Sequence, residues 1–218
     1  MGSVHPVSFE GAVLLDVQRL GVVPYEQART MMRELQQERI HDRIEDTLLL
    51  LEHPEVVTVG PRARNDGLLP PPDYPVEHVD RGGGLTWHGP GQLVCYPIVK
   101  WGTRPGEASV AEIINTIEGW VIEALAAFGI QGNRDERMQG VWVDGRKICS
   151  IGLSFLRWTS RHGFTVNLNT PPGRVEGVAG CGLTADTTTS LAHLGHHVDR
   201  ESFEHALLKV VEQHMSQT

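Results

Sequence analysis

The sequence predicts an α+β fold, on three observations. Apolar runs of strand length recur along the chain. Amphipathic helical patterns stand well apart from one another. No regular alternation of strand and helix joins the two kinds of segment. The first ten residues read as a loose tail, and residues 11–218 as one domain. Val13 to Val17 is expected to be a short strand. Pro24 then opens a helical pattern with Ala28, Met31, Met32, Leu35 and Ile40 on one face. Thr47 to Leu51 and Val56 to Val59 read as buried strands, and Asn65 to Pro75, rich in Pro, Gly and Asp, as a surface loop. Strand character resumes at Val76 to Val79 and again at Leu93 to Val99. The clearest helix spans Val110 to Phe128. Ser109 and Glu112 give it a capping signature, Gly129 a stop, and Val110, Ile113, Ile114, Ile117, Val121 and Leu125 an apolar face. Asp144-Gly145 between Val141–Val143 and Lys147–Phe155 predicts a tight hairpin. Phe164 to Leu168 reads as a further strand, and Arg200 to His214 as a last amphipathic helix.

Composition narrows the function. With 218 residues, 40% hydrophobic and 21% charged, the chain can bury a core without disulfides or metals. The net charge of −8 argues against a nucleic-acid binder, whose affinity comes largely from phosphate contacts. An acidic protein partner would need a local basic patch, for which Arg62, Arg64, Arg157 and Arg161 are candidates. The three cysteines, Cys95, Cys149 and Cys181, are odd in number and lack C-x-x-C spacing, so a disulfide scaffold or cysteine-rich zinc site is not expected, and a reducing cytoplasm is. The first residues lack the basic and apolar regions of a secretory signal, and no apolar run reaches the roughly 20 residues of a membrane span.

Three segments can carry chemistry. The densest is Arg81-Gly82-Gly83-Gly84-Leu85-Thr86-Trp87-His88-Gly89-Pro90-Gly91-Gln92. So many glycines are costly in a plain strand but let backbone approach a ligand and offer N–H donors. No Gly-Lys-Ser/Thr follows, so it is not a phosphate loop, and the dinucleotide spacing fails. The bland reading is a glycine-rich hairpin loop; the clustered Arg, Thr and His favour a binding site. In the second, Lys147 opens an otherwise apolar strand, where a surface lysine after a turn is the plain alternative. In the third, Cys181 lies between Gly180 and Gly182, accessible and flexible, although a free cysteine is most often a small buried residue. Cys95 and Cys149, each within a strand, fit that plainer role. His193, His196 and His197 have no companion acid or cysteine pattern and read as surface histidines.

Arg81-Gly82-Gly83, Thr86, His88, Gly91-Gln92 and Tyr96 resemble the signature of the lipoyl(octanoyl) transferases. Lys147 with Ser150-Ile151-Gly152 is similar to that family's lysine motif. His162-Gly163-Phe164-Thr165-Val166-Asn167 resembles its next strand, and Gly180-Cys181-Gly182 its nucleophile. The resemblance runs in order from about Leu14 to Leu191, and Gly84 and Trp87 stand where the family varies. It implies the biotin/lipoate ligase-like fold: a larger mixed sheet, a smaller sheet and packed helices. It also implies transfer of an octanoyl group from acyl carrier protein to a lysine of lipoyl domains, as in 2-oxoacid dehydrogenases and the glycine cleavage H protein. No cofactor, metal, nucleic acid or membrane enters that reaction. Cys181 and Lys147 would be catalytic. Arg81, Gly82, Gly83, Gly84, Leu85, Thr86, Trp87, His88, Ser150, Ile151, Gly152, Gly163, Phe164 and Thr165 would bind substrate, with Leu85, Trp87 or Ile151 along an acyl tunnel. Two rivals stand beside this reading. One is an ATP-dependent lipoate or biotin ligase, which would not need Cys181 and for which an accessory domain beyond residue 218 is not expected here. The other is a non-catalytic lipoyl-binding module.

Overall fold

A computed structural model describes residues 15–178 and 187–217. Strand β1 (Leu15–Val22) leads into helix α1 (Tyr25–Ile40), then strands β2 (Asp46–Glu52) and β3 (Val56–Val59). A short helix α2 (Pro61–Asn65) precedes strands β4 (Val76–His78), β5 (Leu85–His88) and β6 (Gln92–Ile98). Helix α3 (Val110–Ala126), strands β7 (Val141–Val143), β8 (Arg146–Leu156) and β9 (Thr159–Asn167), and helix α4 (Arg200–Met215) complete the chain. The larger sheet has the order β1-β2-β6-β9-β8-β7 and the smaller β4-β3-β5. Each sheet is mixed: β1 runs parallel to β2 and β4 to β3, and the other pairs are antiparallel. This is the predicted α+β arrangement. No helix among the described residues is long and apolar enough to cross a membrane.

Sequence explains the helices that cover the larger sheet. Ser109 caps α3 by accepting the Glu112 N–H through its hydroxyl. Ile113, Ile117, Val121 and Leu125 then recur at helical spacing and bury against Leu48, Leu93, Phe164 and Val166 of the sheet, together with Phe203 and Leu207 of α4. Val110, expected on that face, is instead 45% exposed. Helix α1 covers the other side, with Ala28 and Met32 against Leu49, Leu51, Val94 and Tyr96. Its buried face also includes Gln36, whose amide donates to the Thr159 carbonyl at 2.8 Å.

Four elements differ from expectation: β1 runs from Leu15 to Val22 where a strand ending at Val17 was expected, the short α2 was not expected, and β5 and β9 differ as follows. β5 lies inside the glycine-rich segment, because Leu85 to His88 pair along β3. β9 begins at Thr159, five residues before the expected start, because its polar residues are satisfied internally: the Ser160 hydroxyl donates to the Pro97 carbonyl at 2.6 Å and accepts from the Trp101 indole at 2.8 Å. β9 also passes very close to β6. A Cβ at Gly163 would lie 2.1 Å from the Cys95 carbonyl oxygen and 2.5 Å from the Pro97 ring. Both obstacles belong to a central strand, so Gly163→Ala is expected to destabilise the protein by about 1–3 kcal/mol, the usual cost of overpacking. Urea unfolding monitored by tryptophan fluorescence checks this; an unchanged midpoint would show that the strands can part freely.

Candidate active site

A cavity of about 220 Å³ lies where the two sheets meet. Its wall is built from β5, β8, β9, the start of α3 and the glycine-rich loop. The loop is anchored by a strand-like bond, Gly82 N–H to the Leu153 carbonyl at 2.9 Å. It crosses β8 at Gly152, where a Cβ would meet Gly82 O and Arg81 Cδ at 2.8 Å each. The cavity is lined by Lys147 and by every residue expected to bind substrate, from Arg81 through His88, Ser150 through Gly152 and Gly163 through Thr165. Val110, Ile114, Val175 and Val178 add apolar surface, and Tyr25, Gln92, Tyr96, His162 and Asn167 add polar groups.

Lys147 is not a surface lysine: it is only 5% exposed. Its backbone pairs on one side with Trp142 and on the other with the segment after residue 186. The Lys147 N–H donates to the Thr187 carbonyl at 2.8 Å, and the Thr189 N–H to the Lys147 carbonyl at 2.9 Å. Its side-chain stem lies along Gly140, where an added Cβ would be 2.6 Å from Lys147 Cε. The buried Glu118 of α3 holds that glycine by accepting its N–H at 2.8 Å.

Cys181 lies outside the described residues. The chain on either side of it does not. Val178 before the interval and Thr188 after it both line the cavity. The two flanks are tied together by the Thr189 hydroxyl, which donates to Glu176 Oε1 at 3.1 Å. Cys95 and Cys149 are fully buried. Burial pushes the Cys95 thiol well above its ordinary value and that of Cys149 up to about 12, so neither is a ready nucleophile.

The polar end of the cavity is built around the Arg81 guanidinium. Arg81, 7% exposed, donates through Nη2 to Thr58 Oγ1 at 2.7 Å and Thr86 Oγ1 at 2.9 Å, and to the Gly84 carbonyl at 3.1 Å. His88 is held well below the ordinary imidazole pKa by burial, assisted by His53 and Arg81. His53 donates to the Val23 carbonyl and faces the Tyr96 hydroxyl at 2.8 Å, and burial lowers its pKa to about 4. His162 sits at φ 58°, a left-handed conformation uncommon for a non-glycine residue inside a strand. Its ring bonds Asp80 at 2.9 Å and reaches the Tyr25 hydroxyl at 3.4 Å. The hydrogen bond from His162 holds the Asp80 carboxyl well below the usual carboxylate range. Gln92 and Asn167 stand in the motifs quoted from sequence but were given no separate role in the site, and Tyr25 and His53 were not singled out at all.

Other candidates fall elsewhere. His193 approaches Glu176 at 3.9 Å and His196 approaches Asp144 at 3.7 Å, while His197 is exposed. No group of side chains able to hold a metal ion occurs among the described residues. Of the four candidate docking arginines, Arg64 is committed to the Val59 and Val79 carbonyls and Arg161 to Asp80 and Ser154. Arg62 lines the cavity, and Arg157 is exposed at the β8–β9 turn.

Residues 24–212 match the model of the lipoyl protein ligase A/B catalytic domain. An octanoyltransferase of Rubrobacter xylanophilus is 40% identical over 209 residues, covering 91% of this chain and 93% of its own. An octanoyltransferase of Acidothermus cellulolyticus is 42% identical over 191 residues, covering 85% of each chain. Among solved structures, a bipartite lipoate protein ligase from Thermoplasma acidophilum superposes with a TM-score of 0.65 at 13% identity, over 92% of this chain and 83% of its own, a likeness of fold alone. The match across nearly the whole chain, in sequence and in fold, places it in the lipoyl protein ligase A/B catalytic-domain family, among the octanoyltransferases.

Proposed function

We propose that this protein transfers an octanoyl group from an acyl carrier protein to a lysine of a lipoyl domain, through a thioester on Cys181. The octanoyltransferase activity for which its relatives are named supports the reaction. The observation that carries the mechanism is a buried Lys147 in a half-apolar cavity whose wall includes both flanks of the Cys181 interval.

In the first half-reaction Lys147 accepts the Cys181 thiol proton, and the thiolate attacks the carbonyl carbon of the donor thioester. The tetrahedral oxyanion is met by backbone N–H donors of the glycine-rich loop or of the Cys181 neighbourhood. Collapse breaks the old C–S bond, and the leaving carrier thiolate takes the proton back from Lys147. In the second, the neutral acceptor amine attacks acyl-Cys181 and yields its proton to Lys147. The amide forms as the Cys181 thiolate leaves, which restores the starting pair. The apolar lining receives the acyl tail, with Leu85, Trp87 and Ile151 along it.

Steady-state kinetics without ATP or magnesium test this against a ligase. Transfer from octanoyl–carrier protein should proceed at full rate, with parallel double-reciprocal lines as carrier and lipoyl domain are varied. A requirement for ATP, or use of free octanoate in its presence, would move the protein to the ligases. Binding of lipoyl domain without any turnover would make it a binding module.

A further inference from the structure

Beyond the residues assigned to chemistry, an unbroken hydrogen-bonded chain runs from the glycine-rich loop to the backbone that pairs with Lys147. Arg81 Nη2 donates to Thr58 Oγ1 at 2.7 Å, and Thr58 Oγ1 lies 3.2 Å from His88 Nε2. His88 Nδ1 lies 2.8 Å from Gln92 Oε1, Gln92 Nε2 donates to Asn167 Oδ1 at 2.9 Å, and Asn167 Nδ2 donates to the Thr189 carbonyl at 2.9 Å.

Its direction is fixed by groups with one role only. An arginine only donates, so Thr58 Oγ1 accepts and must spend its own hydrogen elsewhere, on His88 Nε2 or the Thr86 carbonyl at 3.3 Å. Backbone carbonyls only accept. The Trp87 carbonyl, 3.0 Å from Gln92 Nε2, and the Thr189 carbonyl therefore fix which way both amides face. Gln92 then turns its oxygen toward His88, so His88 carries its hydrogen on Nδ1. From His88 onward, every donor in the chain points toward residues 187–189.

We propose that His88, Gln92 and Asn167 are positioning residues for the acyl transfer: they lock the Thr187–Thr189 segment against Lys147 and thereby set the relation of Lys147 to Cys181. The inference rests on the reading of those two residues given above. Three observations support it. The chain ends on the residue whose N–H bonds the Lys147 carbonyl. The same Asn167 accepts the Leu191 N–H through its own carbonyl at 2.9 Å, so the segment is held at two points. Thr189 in turn bonds Glu176 on the other flank of the Cys181 interval. A buried chain with one allowed direction is rigid, because reversing any amide would set like groups face to face.

Asn167→Asp and Gln92→Glu test this with almost no change of volume, since each replaces a donor by an acceptor. The turnover rate is expected to fall about 10- to 100-fold, the cost of a small misplacement at a reacting centre, with KM for the carrier protein little changed. Alkylation of Cys181 by iodoacetamide should slow at neutral pH and move to higher pH; Cys95 and Cys149 are buried and will not compete. A lower melting temperature with an unaltered alkylation profile and turnover rate would show a merely structural role and overturn the proposal. A wild-type Cys181 that resists alkylation at neutral pH would instead overturn the underlying reading. Nitrogen-15 spectra of the unmodified protein decide the matter should either variant fail to fold. They should show His88 neutral and protonated at Nδ1 from about pH 5.5 to 8; the Nε2–H form, or titration near the ordinary imidazole pKa of about 6.5, would contradict the chain.

Discussion

Cys181→Ser is expected to reduce octanoyl transfer by about 10⁴-fold or more, a loss typical of removing a covalent nucleophile. An alkoxide is far harder to form than a thiolate near neutral pH, and Lys147 would have no acidic thiol to deprotonate. The two other cysteines supply the control. Both are wholly buried in the core between the larger sheet and helices α3 and α4, and burial raises both thiols. Cys95→Ser and Cys149→Ser should therefore keep the chemistry and lose only stability. Rapid-quench assays with octanoyl–carrier protein separate the cases, and near-normal transfer by Cys181→Ser would rule out the thioester route.

Lys147→Ala should slow transfer by about 10²- to 10⁴-fold, the span for a positioned acid–base group. Two roles are distinguishable. A lysine that only favours the thiolate by its charge would be partly dispensable at high pH, where the thiol ionises unaided. A lysine that also shuttles the proton of the acceptor amine leaves the second half-reaction slow at every pH. Burial of Lys147 beside Gly140, away from bulk water, favours the second outcome. Full recovery of both half-reactions at high pH would reduce its role to electrostatics.

The elements legible in the sequence were those whose local chemistry matches their final state. The capped, apolar-striped α3 is one. The hairpin at Asp144-Gly145, where φ is 48° and 73° as a two-residue primed turn needs, is another. A turn around Trp158 was legible, but not that it is as tight as two residues, because Arg157 and Trp158 hold the same left-handed φ without glycine or asparagine, and the Trp158 carbonyl is tied to the Trp101 N–H. β5 was hidden by its glycine-rich surroundings, and the first five residues of β9 by buried polar residues whose partners are remote in sequence. For the site, motif order pointed to Lys147 and the Arg81–His88 loop, which share one cavity. Gln92 and Asn167 act through partners 75 and 22 residues away, and no local pattern shows such pairing.

The most direct test of the central claim is to mix the protein with octanoyl–carrier protein alone and map the adduct by peptide mass spectrometry. One octanoyl group should appear on the peptide containing Cys181, and apo lipoyl domain should discharge it as the acceptor lysine becomes acylated. An adduct on Cys149 or Lys147, or transfer at full rate with no adduct at Cys181 at any time, would contradict the mechanism.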